Sequence, residues 1–338
     1  MRAVDVHAHV VPPDLVAAIR AGDGPDGIRL DTTGAQPWVV HRQGYRYPLP
    51  EHFHDISARL RHMDSTGVSE AVLSAAPPLF LYWAERGEAL DAARAVNDGI
   101  ARMVRDGDGR FSGLATLPLQ DPDAAVAELH RAVSQLGLRG AEVGPHAEGV
   151  PLDDVRLRPV LAAAQGLGVP LLVHPYYVGA VPELADYYLT NLLGNPWQTA
   201  VCAARLVLSG TLDELGGLDL VLVHGGGHLP YQIGRLDHGH RVRPEAQGCR
   251  QTPSSYLRRF HYDTLTHSPR ALRWLVDLVG ADRVVFGTDT PFDMGGGALV
   301  EQLGQPPDTP DLDDHQLELV AHRNADRLFG TPGDPAHG

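Results

Sequence analysis

No lysine occurs in the 338 residues, so all 28 basic side chains are arginine. That absence excludes a Schiff-base enzyme, a P-loop lysine and a carbamylated-lysine bridge between two metal ions. Any metal site is therefore expected to be mononuclear. Cysteine is nearly absent too. Cys202 and Cys249 are the only two, too few for a disulfide framework or an all-cysteine zinc site, and both are expected to be reduced and packed. No apolar run approaches the roughly 20 residues that span a bilayer, so no membrane partner is expected. The formal charge of −14, with no arginine-rich tract, argues against nucleic acid as a partner. A strand pattern begins almost at the first residue, so no secretion signal is expected. The cytoplasm is the expected compartment.

What is present is an alternation of two periodicities. Eight β-like runs fall at Ala3–His7, Ala71–Ala75, Phe111–Thr116, Gly140–Val143, Val169–His174, Leu218–His224, His261–Thr264 and Arg283–Thr288. Helical patterns separate most of them, at Ser57–Thr66, Glu88–Arg105, Asp123–Leu136, Asp154–Gly168, Pro196–Ser209 and Pro269–Val279. Asp121-Pro122 and Ser268-Pro269 each set a capping side chain before a first-turn proline. Strand and helix in alternation imply a parallel sheet, and eight repeats imply closure into an α/β (β/α)8 TIM barrel. One such domain over residues 1–330 is expected, since a barrel takes roughly 250 residues plus insertions. Residues 12–54, rich in Gly, Pro and aromatics, are expected to form a β-containing flap beside the barrel mouth, with no regular helix until its end. Tyr176–Asn195 and Leu236–Pro253 are read as long excursions on the catalytic side. Pro306–Asp314 is read as a connection, Asp314–Leu328 as a terminal helix, and 331–338 as a disordered tail.

The chemistry sits where the apolar runs stop. His7 and His9 stand two apart on a strand, so their imidazoles face one side and can grip one ion. His174, His224 and Asp289 each close, or just follow, a later run, the placement a barrel gives to functional residues. His7, His9, His174 and Asp289 are the expected metal ligands. Three neutral imidazoles and one carboxylate suit zinc, with manganese or iron as alternatives. An open coordination position would remain for water or substrate. His224 leads Gly225-Gly226-Gly227, a run that lets the backbone pass close to a substrate. It is expected to act as general acid/base, the alternative being a fourth imidazole ligand. Asp289 can bind metal and also exchange protons. His228 has three open readings: a second proton carrier, a substrate contact or a helix cap.

These motifs together resemble the amidohydrolase-2 branch of the amidohydrolase superfamily, and within it the α-amino-β-carboxymuconate-ε-semialdehyde decarboxylase family. The residues that carry the likeness are His7-Ala8-His9, His174-Pro175, His224-Gly225-Gly226-Gly227 and Gly287-Thr288-Asp289-Thr290-Pro291-Phe292. Met63-Asp64-Ser65-Thr66-Gly67-Val68, Leu114-Ala115-Thr116-Leu117-Pro118 and Gly234-Arg235-Leu236-Asp237 extend it from about Val4 to Leu328. The resemblance implies a zinc-dependent, non-oxidative decarboxylase, active as a homodimer and without an organic cofactor. It matches His7, His9, His174 and Asp289 to metal ligands and His224 to the catalytic histidine. It also places Arg46 on a substrate carboxylate and has arginines at Arg235 and Arg243, one of them reaching the neighbouring subunit's site. A guanidinium fork suits a carboxylate. Where the family commonly has a small residue this chain has His228, and near Tyr187-Tyr188-Leu189-Thr190-Asn191 Tyr and Asn replace tryptophans expected to line the pocket. Those differences imply a changed small carboxylic acid, aromatic or muconate-like. Two other readings fit the same residues: a metal-dependent hydrolase or hydratase, and a non-catalytic binding protein.

Overall fold

The computed structural model describes residues 1–176, 181–303 and 311–330. The expected tail 331–338 lies outside the described residues, as do parts of the 176–195 excursion and of the 306–314 connection. Eight strand positions appear where the apolar runs are: β1 (Val4–Val10), β2 (Glu70–Ala75), β3 (Phe111–Gly113, resuming at Ala115–Thr116), β4 (Ala141–Val143), β5 (Leu171–Val173), β6 (Leu220–Leu222), β7 (Phe260–Asp263) and β8 (Val284–Val285). All their pairings are parallel. No single ladder runs right round, because the strands form one sheet from β1 to β3 and another from β3 to β8. Individual backbone bonds join them. At β3, Leu114 N–H reaches Leu73 O (2.8 Å) and Ala115 N–H reaches Gly140 O (2.9 Å). Between β8 and β1, Val6 N–H donates to Phe286 O (3.0 Å), Asp289 N–H to His7 O (2.7 Å) and His9 N–H to Thr290 O (2.7 Å). That last seam brings the ligand-bearing ends of the first and last strands together.

Strands covered on both faces read as continuous apolar runs, and every residue of β1 is buried. Val4 and Val6 join Val72, Leu172, Val221 and Val285 in one buried cluster, to which the final helix adds Leu328 and Phe329. His174 and Asp289 share strand parity with Leu172 and Val285, whereas His7 and His9 have the opposite parity to Val4 and Val6. A β-bulge resolves the mismatch. Asp5 pairs with Ala71 and Ala8 with Leu73, so two residues of β1 oppose the single Val72. The extra residue flips the alternation and turns both imidazoles toward the other ligands.

The insertion contains the expected β structure, a three-stranded antiparallel sheet of Ile28–Asp31, Trp38–His41 and Arg46–Pro48. It also contains a helix, Pro13–Ala21, which contradicts the expectation of none until the end of this segment. Pro12-Pro13 looks like a breaker, but Pro13 occupies the first helical turn, where its missing N–H costs nothing. Leu15, Val16 and Ile19 are the residues this helix buries. Leu236–Pro253 is likewise only partly an excursion, because the helix Leu229–Val242 runs through its first residues. Gly234 and Gly239 weaken that helix without ending it.

One buried residue of the barrel gives the fold an acid limit. His261 on β7 pairs in register with Val221 and is 1% exposed. Arg327 (3.1 Å) and Arg283 (3.4 Å) both present guanidinium N–H groups to its Nε2. Burial, then Arg283 and Arg327, hold its pKa down at about 3. Between the unfolded value near 6.5 and that figure, the unfolded chain binds a proton that the folded chain refuses. Stability therefore falls as pH drops through this window, by up to ~1.4 kcal/mol per pH unit from this residue. Urea unfolding at pH 7 and pH 5 checks it: His261→Gln is expected to flatten the difference, and an unchanged slope would contradict the assignment.

Candidate metal centre and active site

Four residues from three regions of the chain converge at the carboxyl ends of the strands. His7 and His9 come from β1, His174 directly follows β5, and Asp289 lies four residues past β8. The donor atoms of these four all lie within 4.8 Å of one another. Asp289 Oδ1 is 3.0 Å from His9 Nε2, 3.3 Å from His7 Nε2 and 3.9 Å from His174 Nε2. All four of these atoms are buried and lack a hydrogen-bond partner. An orphaned buried polar atom costs ~1–3 kcal/mol, and four aimed at one point fit a divalent cation.

The other face of each imidazole is occupied. His7 Nδ1–H donates to Asp263 Oδ2 (2.7 Å), His9 Nδ1–H to Ala75 O (3.1 Å) and His174 Nδ1–H to Pro175 O (2.6 Å). Each bond leaves Nε2 free for an ion and fixes the ring orientation. Burial favours the neutral form, and it takes His174 down to about 3 and lowers His9. Burial also acts on His7, but the carboxylates of Asp289 and Asp263 outweigh it and raise His7 to about 10. Asp289 would be raised by burial, yet His7 and the neighbouring imidazoles hold it well below the usual carboxylate range.

Asp263 is the residue that reading the sequence missed. It is fully buried, takes the His7 bond on Oδ2, and on Oδ1 accepts Gly225 N–H (2.7 Å) and Leu265 N–H (3.2 Å). One carboxylate thus ties a ligand to the turn that carries His224. The available signal was an acidic side chain inside the seventh β-like run, His261–Thr264. Asp5 plays a parallel part, accepting Thr288 N–H (3.0 Å), Thr288 O–H (2.6 Å) and His7 N–H (3.1 Å). Gly287 is required, because a Cβ there would come 2.9 Å from His7 Cβ and 3.0 Å from Asp263 Cβ. Replacing Asp263 by Asn should weaken metal affinity ~10–100-fold, as loss of an outer partner does. Titration with a competing chelator measures this, and an unchanged affinity would remove Asp263 from the site.

His224 stands beside the four-donor cluster. Its Nε2 is 3.7 Å from Asp289 Oδ2, the oxygen turned away from the other imidazoles. His224 (φ 56°) and Asp289 (φ 59°) both hold left-handed backbone conformations. Such conformations are costly outside glycine and gather at functional sites. The glycines after His224 answer to packing: a Cβ on Gly227 would lie 2.0 Å from Pro196 O, and one on Gly226 2.6 Å from the Tyr262 ring.

The remaining candidates separate. Arg46 lies on the flap sheet, stacks its guanidinium 4.6 Å from the Trp38 ring centre, and lines a cavity with His174 and Asp289. His228 lines a second cavity with His224. It precedes the helix Leu229–Val242, and its side chain makes no capping bond. Arg235 and Arg243 are exposed and line neither cavity of their own chain. Arg243 pairs instead with Glu245 at 2.7 Å.

With this geometry in view, the chain can be set beside known proteins. A family model described as amidohydrolase matches residues 4–331. A 2-amino-3-carboxymuconate-6-semialdehyde decarboxylase from Dictyostelium discoideum is 34% identical over 308 residues, covering 89% of this chain and 85% of that protein. The crystal structure of a 5-carboxyvanillate decarboxylase from Sphingomonas paucimobilis superposes with a TM-score of 0.79 at 27% identity, covering 97% of this chain and 98% of the other. A dihydroxybenzoic acid decarboxylase from Polaromonas sp. JS666, with bound manganese and 2-nitroresorcinol, gives a TM-score of 0.76 at 26% identity, covering 97% and 96%.

Proposed function

This chain belongs to the amidohydrolase family, and from that premise we propose that it is a metal-dependent, non-oxidative decarboxylase of an aromatic or conjugated carboxylic acid. The observation that carries the reading is the set of four unpartnered donor atoms on His7, His9, His174 and Asp289, two of which, His174 and Asp289, belong to residues lining a cavity that also holds Arg46. It is supported by similar proteins that are decarboxylases of carboxymuconate, carboxyvanillate and dihydroxybenzoate compounds.

A divalent cation held by these four residues would supply Lewis acidity toward substrate oxygens. Zinc is the ion we assign, on the strength of three imidazoles and one carboxylate; the same donors accept manganese, which the Polaromonas structure holds. Arg46 grips a carboxylate through its planar fork. As the bond to the departing carboxylate breaks, its electron pair stays on the substrate carbon and carbon dioxide leaves. His224 delivers the proton that replaces it, steadied by Asp289 at 3.7 Å. The exchange is redox-neutral and asks for no organic cofactor.

We assign the working form to a homodimer. Tyr187, Tyr188, Leu193, Trp197 and Tyr231 leave large apolar surface exposed on the segment after β5 and on the helix that carries Arg235. Exposed apolar surface of that kind marks an interface, and a second copy offers a site for Arg235 or Arg243. The cytoplasm suits the two unpaired, buried thiols Cys202 and Cys249.

Incubating the metal-loaded protein with carboxyl-labelled ring and muconate-type acids, and trapping released gas, tests the proposal. Labelled carbon dioxide with a product lighter by that mass is expected. Products heavier by one water, with no gas, would move the chemistry to a hydrolase or hydratase. No turnover of any acid would leave only the binding-protein reading.

A further inference from the structure

Two cavities meet at the metal centre, and Asp289, Asn191, Asn195 and Met294 belong to the walls of both. The larger, about 690 Å³, contains His174 and Arg46. It already falls within the ~300–1,000 Å³ that houses a small-molecule ligand. A single-ring acid held by Arg46 leaves the second cavity, about 490 Å³, unfilled.

The second cavity differs in chemistry. Its walls include Pro196, Leu265, Ala271, Trp274, Leu275 and Met294, with His228, His267 and Thr266 as further polar members, and among the described residues no arginine. Leu265 and Leu275 are buried, at 4% and 2% exposure, whereas Trp274 is 43% exposed. His224 also lines it, so this apolar space begins beside the group that delivers the proton.

We propose that the second cavity is a substrate subsite for an apolar substituent, so that the natural substrate is a ring carboxylic acid bearing an alkyl or aryl arm of several carbons. The proposal rests on the decarboxylase reading for the acid and on this cavity alone for the arm. An arm lying there packs its own methylenes against Leu265 and Leu275 and takes the open face of Trp274 out of water. Each buried methylene strengthens binding about fourfold, the equivalent of ~0.8 kcal/mol. Ordering the arm returns part of that gain. Lengthening a methyl to a pentyl group is therefore expected to tighten binding at least about tenfold.

Calorimetric titration of the metal-loaded protein with resorcinol, 5-methylresorcinol and 5-pentylresorcinol tests the arm without requiring turnover. The pentyl compound should bind at least about tenfold more tightly than the methyl compound. Ala271→Leu should abolish that advantage while leaving resorcinol unchanged. Ala271 lies in the first turn of Pro269–Val279, where its N–H, not its side chain, meets the Ser268 cap, and leucine is a strong helix former. Equal affinity for the methyl and pentyl compounds would overturn the proposal. So would a pentyl advantage that survives Ala271→Leu, or a structure of the loaded protein with a partner's side chain seated in the cavity. Pentyl-selective, Ala271-dependent binding without carbon dioxide release from any acid would uphold the subsite and sink the decarboxylase reading.

Discussion

Replacing His224 with alanine is expected to lower kcat on the order of 10³-fold, the range a positioned general acid contributes, while the chain keeps its metal ion. The separation of the two effects follows from geometry. His224 lies outside the set of atoms within 4.8 Å of one another: its Nε2 stands 3.7 Å from Asp289 Oδ2, and its ring sits edge-on to those of His7 and His174 at 5.6 and 5.3 Å between centres. Its backbone turn is held by Asp263 through Gly225 N–H and does not depend on the imidazole. Steady-state kinetics and elemental analysis on the same preparation read both effects. Loss of the ion together with activity would make His224 a ligand and require another proton donor.

Replacing Asp289 with alanine should remove both activity and metal. Asp289 is the only anionic donor among the four ligands, and its Oδ1 approaches all three ligating imidazoles. Without it, three imidazoles converge with no carboxylate among the donors, and Asp263 reaches the ion only through His7. The loss of metal affinity should exceed the ~10–100-fold typical of an outer partner such as Asp263. His224 also loses the carboxylate 3.7 Å from its Nε2, so excess metal should not restore full turnover. Competition with a chelator, followed by assay at saturating zinc or manganese, separates the two losses. A variant that binds metal as the parent does would overturn the ligand assignment.

The four clustered donors were legible because each closes or just follows an apolar run, and a parallel barrel delivers the ends of its strands to one face. His7-Ala8-His9 needed only strand period. What the sequence could not carry is lateral registry. The β1 bulge depends on how Asp5 and Ala8 pair with β2, and nothing in Val4–Val10 alone marks the extra residue. Asp263 escaped notice for a related reason. Its importance lies in contacts to His7, 256 positions away, and to Gly225, and an aspartate closing a strand looks like a turn residue. The helix at Pro13–Ala21 was hidden by prolines that begin a helix as readily as they break one. Arg46 reaches the cavity because it lies on the flap sheet, whose residues from Trp38 to Pro48 help line it, whereas Arg235 and Arg243 are exposed and line neither cavity.

X-ray absorption at the metal edge, on protein carrying a measured complement of ion, tests the account most directly. About one zinc or manganese per chain is expected, with three imidazole nitrogens and carboxylate oxygen at roughly 2.0–2.2 Å in the zinc form. A chain that binds no ion, or an ion whose shell lacks the imidazoles, would contradict it.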